Sequence, residues 1–219
     1  PETSRHHALA AAPYDPSRER FNDGKCDPQG RFWTGTVYEP RDPALAAFYC
    51  YERSGGLRRV AGDVTVGNGL GWSPDGGTLY FSDTKAHTIY AHDFDGASGQ
   101  IGPRRVFARF ELKRADQDLD TYGGRPDGAA VDAEGAYWCA MFEGQRMLRL
   151  SPAGEVLREV RLPVRCATMP CFGGPDLKTL YITTSREKRP ADELAAQPWA
   201  GRILTLRVDT PGLPANCFG

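Results

Sequence analysis

The sequence has almost no net charge, few cysteines, little helical patterning and no long apolar run. A formal net charge of −1 leaves no basic stripe for nucleic acid and no electrostatic hold on an acidic membrane surface. No apolar stretch approaches the roughly 20 residues that a membrane-crossing helix needs, so neither nucleic acid nor membrane is an expected partner. The chain does not start with Met; Pro1–His7 is polar, and no signal-peptide pattern is read there. The cytoplasm is the expected compartment. The six cysteines (Cys26, Cys50, Cys139, Cys166, Cys171 and Cys217) form no C-x-x-C pair. A chain of 219 residues can bury an ordinary core without covalent staples. Reduced, buried thiols are therefore expected, with a Cys166–Cys171 disulfide left open by spacing alone.

Glycine (25) and proline (17) are plentiful and lie dispersed between short apolar runs. That distribution predicts many short strands separated by tight turns. Four segments resemble one another: 27–37 (DPQGRFWTGTV), 73–84 (SPDGGTLYFSDT), 132–142 (DAEGAYWCAMF) and 174–185 (GPDLKTLYITTS). Each joins a turn to an aromatic-rich strand. The aromatics Trp33, Tyr80, Trp138 and Tyr181 are 47, 58 and 43 residues apart, a period that reads as the blades of a β-propeller. A third strand is predicted after each aromatic strand, at 48–53, 88–94, 146–152 and 201–209. An outer strand follows in three of the repeats, at 58–62, 105–110 and 156–163. Segments 42–48 and 191–200 are read as loop excursions with at most a turn or two of helix, and 109–124 as a long loop between blades.

Upstream of each aromatic strand, at eleven or twelve residues, stand Asn22, Asn68, Asp127 and Met169. The innermost strand of a propeller lines its central channel, so equivalent residues of successive blades converge on the axis. Asn-Gly and Asp-Gly are common turn dipeptides, and any one of these residues alone reads as a turn. An amide or carboxylate at the same place in three repeats reads instead as an oxygen-rich site for a hard cation. The histidines do not fall on the axial position: His6 and His7 read as solvated, and His87 and His92 as lying on the outer part of a blade. A zinc triad is thereby disfavoured. Ser73 and Ser185 lack a His or Asp partner in motif context, which disfavours a serine hydrolase. Asp83 reads as a strand-end turn residue, and Glu39 either as an exposed loop carboxylate or as a group at the mouth of the channel.

Segments 20–36 (RFNDGKCDPQGRFWTGT), 66–84 (VGNGLGWSPDGGTLYFSDT), 89–101 (IYAHDFDGASGQI), 125–140 (RPDGAAVDAEGAYWCA) and 171–186 (CFGGPDLKTLYITTSR) together resemble the regucalcin (senescence marker protein), gluconolactonase and luciferin-regenerating enzyme family. The resemblance implies an all-β, six-bladed propeller of which about four to five blades are present in residues 1–219, as one domain. It also implies hydrolysis of a sugar lactone of the gluconolactone or pentonolactone type, one divalent cation (Ca, Zn, Mn or Mg), and a monomer or weak oligomer. By the same resemblance Asn68 and Asp127 are metal ligands, Asp127 doubles as general base, and Arg20 and Asn22 hold the substrate; Arg20 reads equally as a plain surface arginine. The family's third ligand, a Glu in an E-x-P segment of an early blade, has no counterpart before Arg20. Glu2 is followed by Thr3 and Ser4 and is not assigned, so the first blade or so is expected to be missing. Two other functions stay open: a propeller that binds metal without catalysis, and a propeller esterase of the arylesterase or strictosidine synthase-like kind.

Overall fold

A computed structural model describes residues 8–219; Glu2, His6 and His7 lie outside the described residues. The architecture is all-β, four antiparallel sheets succeeding one another along the chain. The first sheet is β1 (Glu19–Cys26), β2 (Phe32–Tyr38), β3 (Ala46–Glu52) and β4 (Gly56–Val64). The second is β5 (Gly67–Trp72), β6 (Thr78–Asp83), β7 (Thr88–Asp95) and the short β8 (Gln100–Ile101), with β9 (Arg105–Arg109) also paired to β7. The third is β10 (Arg125–Val131), β11 (Tyr137–Phe142), β12 (Arg146–Leu150) and β13 (Val156–Arg161). The fourth is β14 (Ala167–Gly173), β15 (Thr179–Thr184) and β16 (Leu204–Arg207), with one short helix, α1 (Ala191–Ala196), between β15 and β16. Every strand anticipated from the repeats is present, and 110–124 is the expected loop. No helix among the described residues is long and apolar enough to cross a membrane.

The strands of a sheet point alternate side chains to its two faces, and here each interior blade is buried on both. On β11, Tyr137, Cys139 and Met141 pack toward the second blade, with Tyr80, Ile89 and Val131. Trp138 and Ala140 pack the other way, with Leu180 and Ile182 of the fourth blade. A third core, between the first two blades, gathers Trp33, Phe48, Leu70, Trp72 and Phe81. Three apolar layers thus join four blades. Burial on both faces explains why β11 reads YWCAMF with no polar alternation, as in other doubly covered strands. On β15, by contrast, Leu180 and Ile182 are buried while Tyr181 is 43% exposed, and alternation is visible in the sequence.

The turn before each aromatic strand carries its own polar device. Asp27, fully buried, accepts hydrogen bonds from Trp33 Nε1 (2.9 Å), Arg31 Nε (2.6 Å) and the backbone N–H groups of Gln29 and Arg31. Asp132, also fully buried, repeats the pattern with Trp138 Nε1 (2.9 Å), Arg149 Nε (2.8 Å) and the N–H groups of Glu134 and Ala136. The blades whose aromatic is tyrosine have Ser73 and Gly174 at this corner instead. At these two corners the carboxylate supplies the acceptor that a buried indole N–H needs; the buried Trp72 Nε1, by contrast, has no partner among the described residues.

All six cysteines are free thiols, and no Cys166–Cys171 disulfide forms. Cys50, Cys139 and Cys166 are buried as expected, but Cys171 and Cys217 are exposed, which corrects the reading of all six as interior. Beyond β16 the chain crosses beneath the third blade, where Ala133 N–H bonds Pro211 O. It then reaches the first blade, where Asn216 Nδ2 donates to Cys26 O (3.2 Å).

Candidate active site

The four inner strands β1, β5, β10 and β14 share one irregularity. Pairing with the next strand breaks register between Phe21 and Gly24, Asn68 and Gly71, Pro126 and Ala129, and Ala167 and Met169. The residues at or beside these breaks are the axial ones inferred from the repeats. A bulge releases a residue from the ladder and re-aims its side chain. In β5 the release needs Gly69, whose φ is +64°; a Cβ there would collide with Tyr137 Oη and lie 3.0 Å from Asp127 O. The backbones of the second and third blades meet at this point, and Tyr137 Oη donates to Gly69 O (2.6 Å).

Arg20, Asn22, Asn68 and Asp127 all line one cavity of about 650 Å³. Arg20 Nη1 donates to Asn22 Oδ1 (3.0 Å), Asn22 Nδ2 donates to Asn68 Oδ1 (2.7 Å) and Asn68 Nδ2 donates to Thr84 Oγ1 (2.8 Å). The amide orientations follow from this chain: each oxygen accepts and each nitrogen donates. Arg20 is also paired with Glu39 (2.8 Å), so the arginine left open as a surface residue is tied to the site and Glu39 sits beside it. Met169 does not share this cavity and faces a second one with Lys25, Pro170 and Cys171.

Asp127 stands apart from this chain. No side-chain or backbone donor among the described residues bonds its carboxylate. Burial, reinforced by the nearby Asp23 carboxylate and only partly opposed by Arg125, pushes it up to about 8. Asp23 is buried and receives the Leu70 N–H (3.1 Å); burial raises its pKa despite the neighbouring Lys25. Lys25 donates to Ala129 O (2.8 Å), and burial lowers its pKa against the pull of Asp23. These two buried charged groups, Asp23 near Asp127 and Lys25 near Asp23, were not anticipated. Their signal in the sequence is the D and K of R-F-N-D-G-K, which carries the family resemblance without revealing that both are buried.

His87 corrects another expectation. It lies in the turn between β6 and β7, is buried, and lines the same cavity as Asn68 and Asp127 rather than the outer part of a blade. Its Nε2 is 2.6 Å from Tyr122 Oη. Burial, with help from Arg125 and Lys85, holds it down at about 4, so the ring is neutral at physiological pH. His92 is buried on β7, with Nδ1 2.7 Å from Gly102 O and its ring stacked on Phe81. Asp83 is the strand-end residue expected: its carboxylate accepts from the N–H groups of Thr65, Val66 and Lys85.

The neutral state of His87 links stability to pH. The unfolded chain protonates near 6.5 and the folded one only near 4, so stability is full above 6.5 and falls as pH drops toward 4. The expected loss is about 3 kcal/mol. His92 is shifted in the same direction. A denaturant titration of wild type against His87→Asn isolates the first contribution, asparagine being tolerant of the residue's φ of +52°. The two stability curves should converge below pH 5, and parallel curves would refute the assignment.

Among the described residues no group of three or more His, Cys, Asp or Glu side chains is gathered to hold a metal. The donors in the cavity nevertheless suit a hard cation. Asp127 offers an uncompensated carboxylate, and Asn68 Oδ1 keeps a second lone pair beyond the one engaged by Asn22.

Residues 1–186 match the family described as SMP-30/Gluconolactonase/LRE-like region. A 6-deoxy-6-sulfogluconolactonase from Pseudomonas putida is 47% identical over 210 residues, covering 96% of this chain and 69% of that protein. Regucalcin from Oryctolagus cuniculus is 36% identical, covering 96% and 70%. The solved structure of a calcium-binding regucalcin from Agrobacterium tumefaciens superposes with a TM-score of 0.83 at 28% identity, covering 93% of this chain and 66% of that one. The chain therefore spans about two thirds of the length of these relatives. With its repeats, its inner-strand breaks and these similarities taken together, the chain belongs to the SMP-30/gluconolactonase/LRE-like family of β-propellers.

Proposed function

We propose that this chain hydrolyses a sugar lactone to the open aldonic acid in the cavity lined by Arg20, Asn22, Asn68 and Asp127. The observation that carries the reading is Asp127: a carboxylate without a hydrogen-bond donor, facing an accessible cavity and made more basic by its surroundings. A general base is most effective when its pKa lies near working pH. Asp127 takes a proton from water as the water oxygen bonds to the lactone carbonyl carbon. The acyl carbon–ring oxygen bond then breaks and the ring oxygen takes up the proton. Arg20, fixed by Glu39 and Asn22, places donors against the substrate's oxygens and against the charge that develops on the carbonyl oxygen. Asn22 can both donate to and accept from a sugar hydroxyl.

Asn68 and Asp127 are the residues that would hold a divalent cation, which when bound polarises the carbonyl and makes water more acidic. Similarity to a sulfogluconolactonase supports a sugar-lactone substrate. Similarity to a protein described as calcium-binding supports the cation, and it also favours a second reading: binding of Ca²⁺ without turnover. An assay of δ-gluconolactone and pentonolactones with Ca²⁺, Mn²⁺, Zn²⁺ or Mg²⁺ separates the two. Cation-stimulated hydrolysis is expected. Cation binding with no hydrolysis above the spontaneous rate would favour the second reading.

A further inference from the structure

The cavity's lining is unequal in charge. Arg20, Arg41, Lys85, Lys113 and Arg125 all reach it, against Asp127 as the one acidic side chain among its lining residues. Three of these cations have carboxylate partners. Arg20 pairs with Glu39, while Arg125 (2.9 Å) and Lys113 (3.6 Å) share Glu143 with Arg189 (2.8 Å). Lys85 and Arg41 have no acidic partner among the described residues, and both side chains are exposed, so they stand where the cavity meets solvent. The imidazole beside Lys85, that of His87, brings no negative charge to offset it.

A neutral sugar is bound by a mixture of donors and acceptors, because each hydroxyl is both. Two unpartnered cations at a cavity mouth offer donors only, and they suit an oxyanion, whose hydrogen bonds to a cation are the strong kind. The backbone at Lys85 is also held in place: its N–H is bonded to Asp83 Oδ1 (3.1 Å), an acceptor that in turn braces the start of β5 through Thr65 and Val66.

We infer that the substrate is a sugar lactone carrying a phosphate or sulfonate group away from the reacting carbonyl, and that Lys85, with Arg41, reads that anion. The inference rests on the lactonase reading for the identity of the reacting group. The decisive experiment is discrimination, measured two ways. In turnover, kcat/KM for the 6-phosphate and the 6-sulfonate of gluconolactone is compared with that for gluconolactone itself. In binding, 6-phosphogluconate is compared with gluconate by calorimetry. An anionic preference of about tenfold or more is expected in both, shrinking about tenfold in Lys85→Gln and falling with added salt. The two turnover arms decide between phosphate and sulfonate. Equal affinity for 6-phosphogluconate and gluconate, or a preference that Lys85→Gln leaves intact, would overturn the inference. Preferential binding of the phosphate without turnover of any lactone would instead overturn the lactonase reading and leave the anion site standing.

Discussion

Asp127→Ala is expected to abolish hydrolysis, lowering kcat/KM by about a thousandfold or more, and to remove cation binding with it. The fold should survive. At neutral pH this carboxyl sits where burial and Asp23 disfavour its charge, so its loss removes a source of strain as well as a side chain. Thermal unfolding is therefore expected near the wild-type temperature or above it. Asp127→Asn separates the two roles. The carboxamide keeps one ligand oxygen but cannot take up a proton near neutral pH, so it should retain weak cation binding while losing turnover. Full activity in either variant, measured as acid release from δ-gluconolactone in a pH-stat, would remove Asp127 from the chemistry.

The second large effect concerns stability, and it lies in the corners of the blades. Asp132→Ala is expected to destabilise the protein by about 3–5 kcal/mol, because it strands the Trp138 indole N–H, the Arg149 guanidinium and two backbone N–H groups at a buried site. That is a large part of the stability of an ordinary domain. Asp132→Asn should cost less but still clearly: its carbonyl can serve the two backbone donors, while its NH₂ would face the indole and guanidinium donors. Asp27→Ala should behave alike through Trp33 and Arg31. Ser73→Ala, at the matching corner of the second blade, loses the bond from Thr78 N–H to Ser73 Oγ (2.9 Å) and should cost about 1 kcal/mol. Chemical denaturation of the four variants tests this ordering; equal costs for Asp132→Ala and Ser73→Ala would refute it.

What the sequence showed and what it hid divide along physical lines. The blades were legible because each repeat obeys the same local rule, a turn followed by an aromatic strand, and local rules leave their mark in spacing. The axial residues were legible for the same reason: a shared offset from Trp33, Tyr80 and Trp138 places Asn22, Asn68 and Asp127 at equivalent points, and they line one cavity. Asp23 and Lys25 were hidden because their partners, Leu70 and Ala129, belong to other blades. Asp27 and Asp132 were seen only as turn residues, since their bonds to Trp33 and Trp138 depend on how the corner folds back over the strand. His87 was misplaced because it comes from the turn between β6 and β7, a connection whose length and sequence differ from blade to blade. Arg41 and Lys85 come from the same variable connection in two blades, and Lys113 from the loop at 110–124, so periodicity says nothing of them.

The breaks in register along β1, β5, β10 and β14 have one more consequence. Asn22 and Asp127 fall inside such breaks and pair with no residue of the next strand, so their side chains answer to the channel and not to the sheet. The axis is thus a set of sockets whose contents can be exchanged without rebuilding the blade that bears them. Asparagine and aspartate already occupy equivalent sockets in this one chain. New chemistry at the axis could be installed one residue at a time, with the cost to folding set by the corners and the layers between blades.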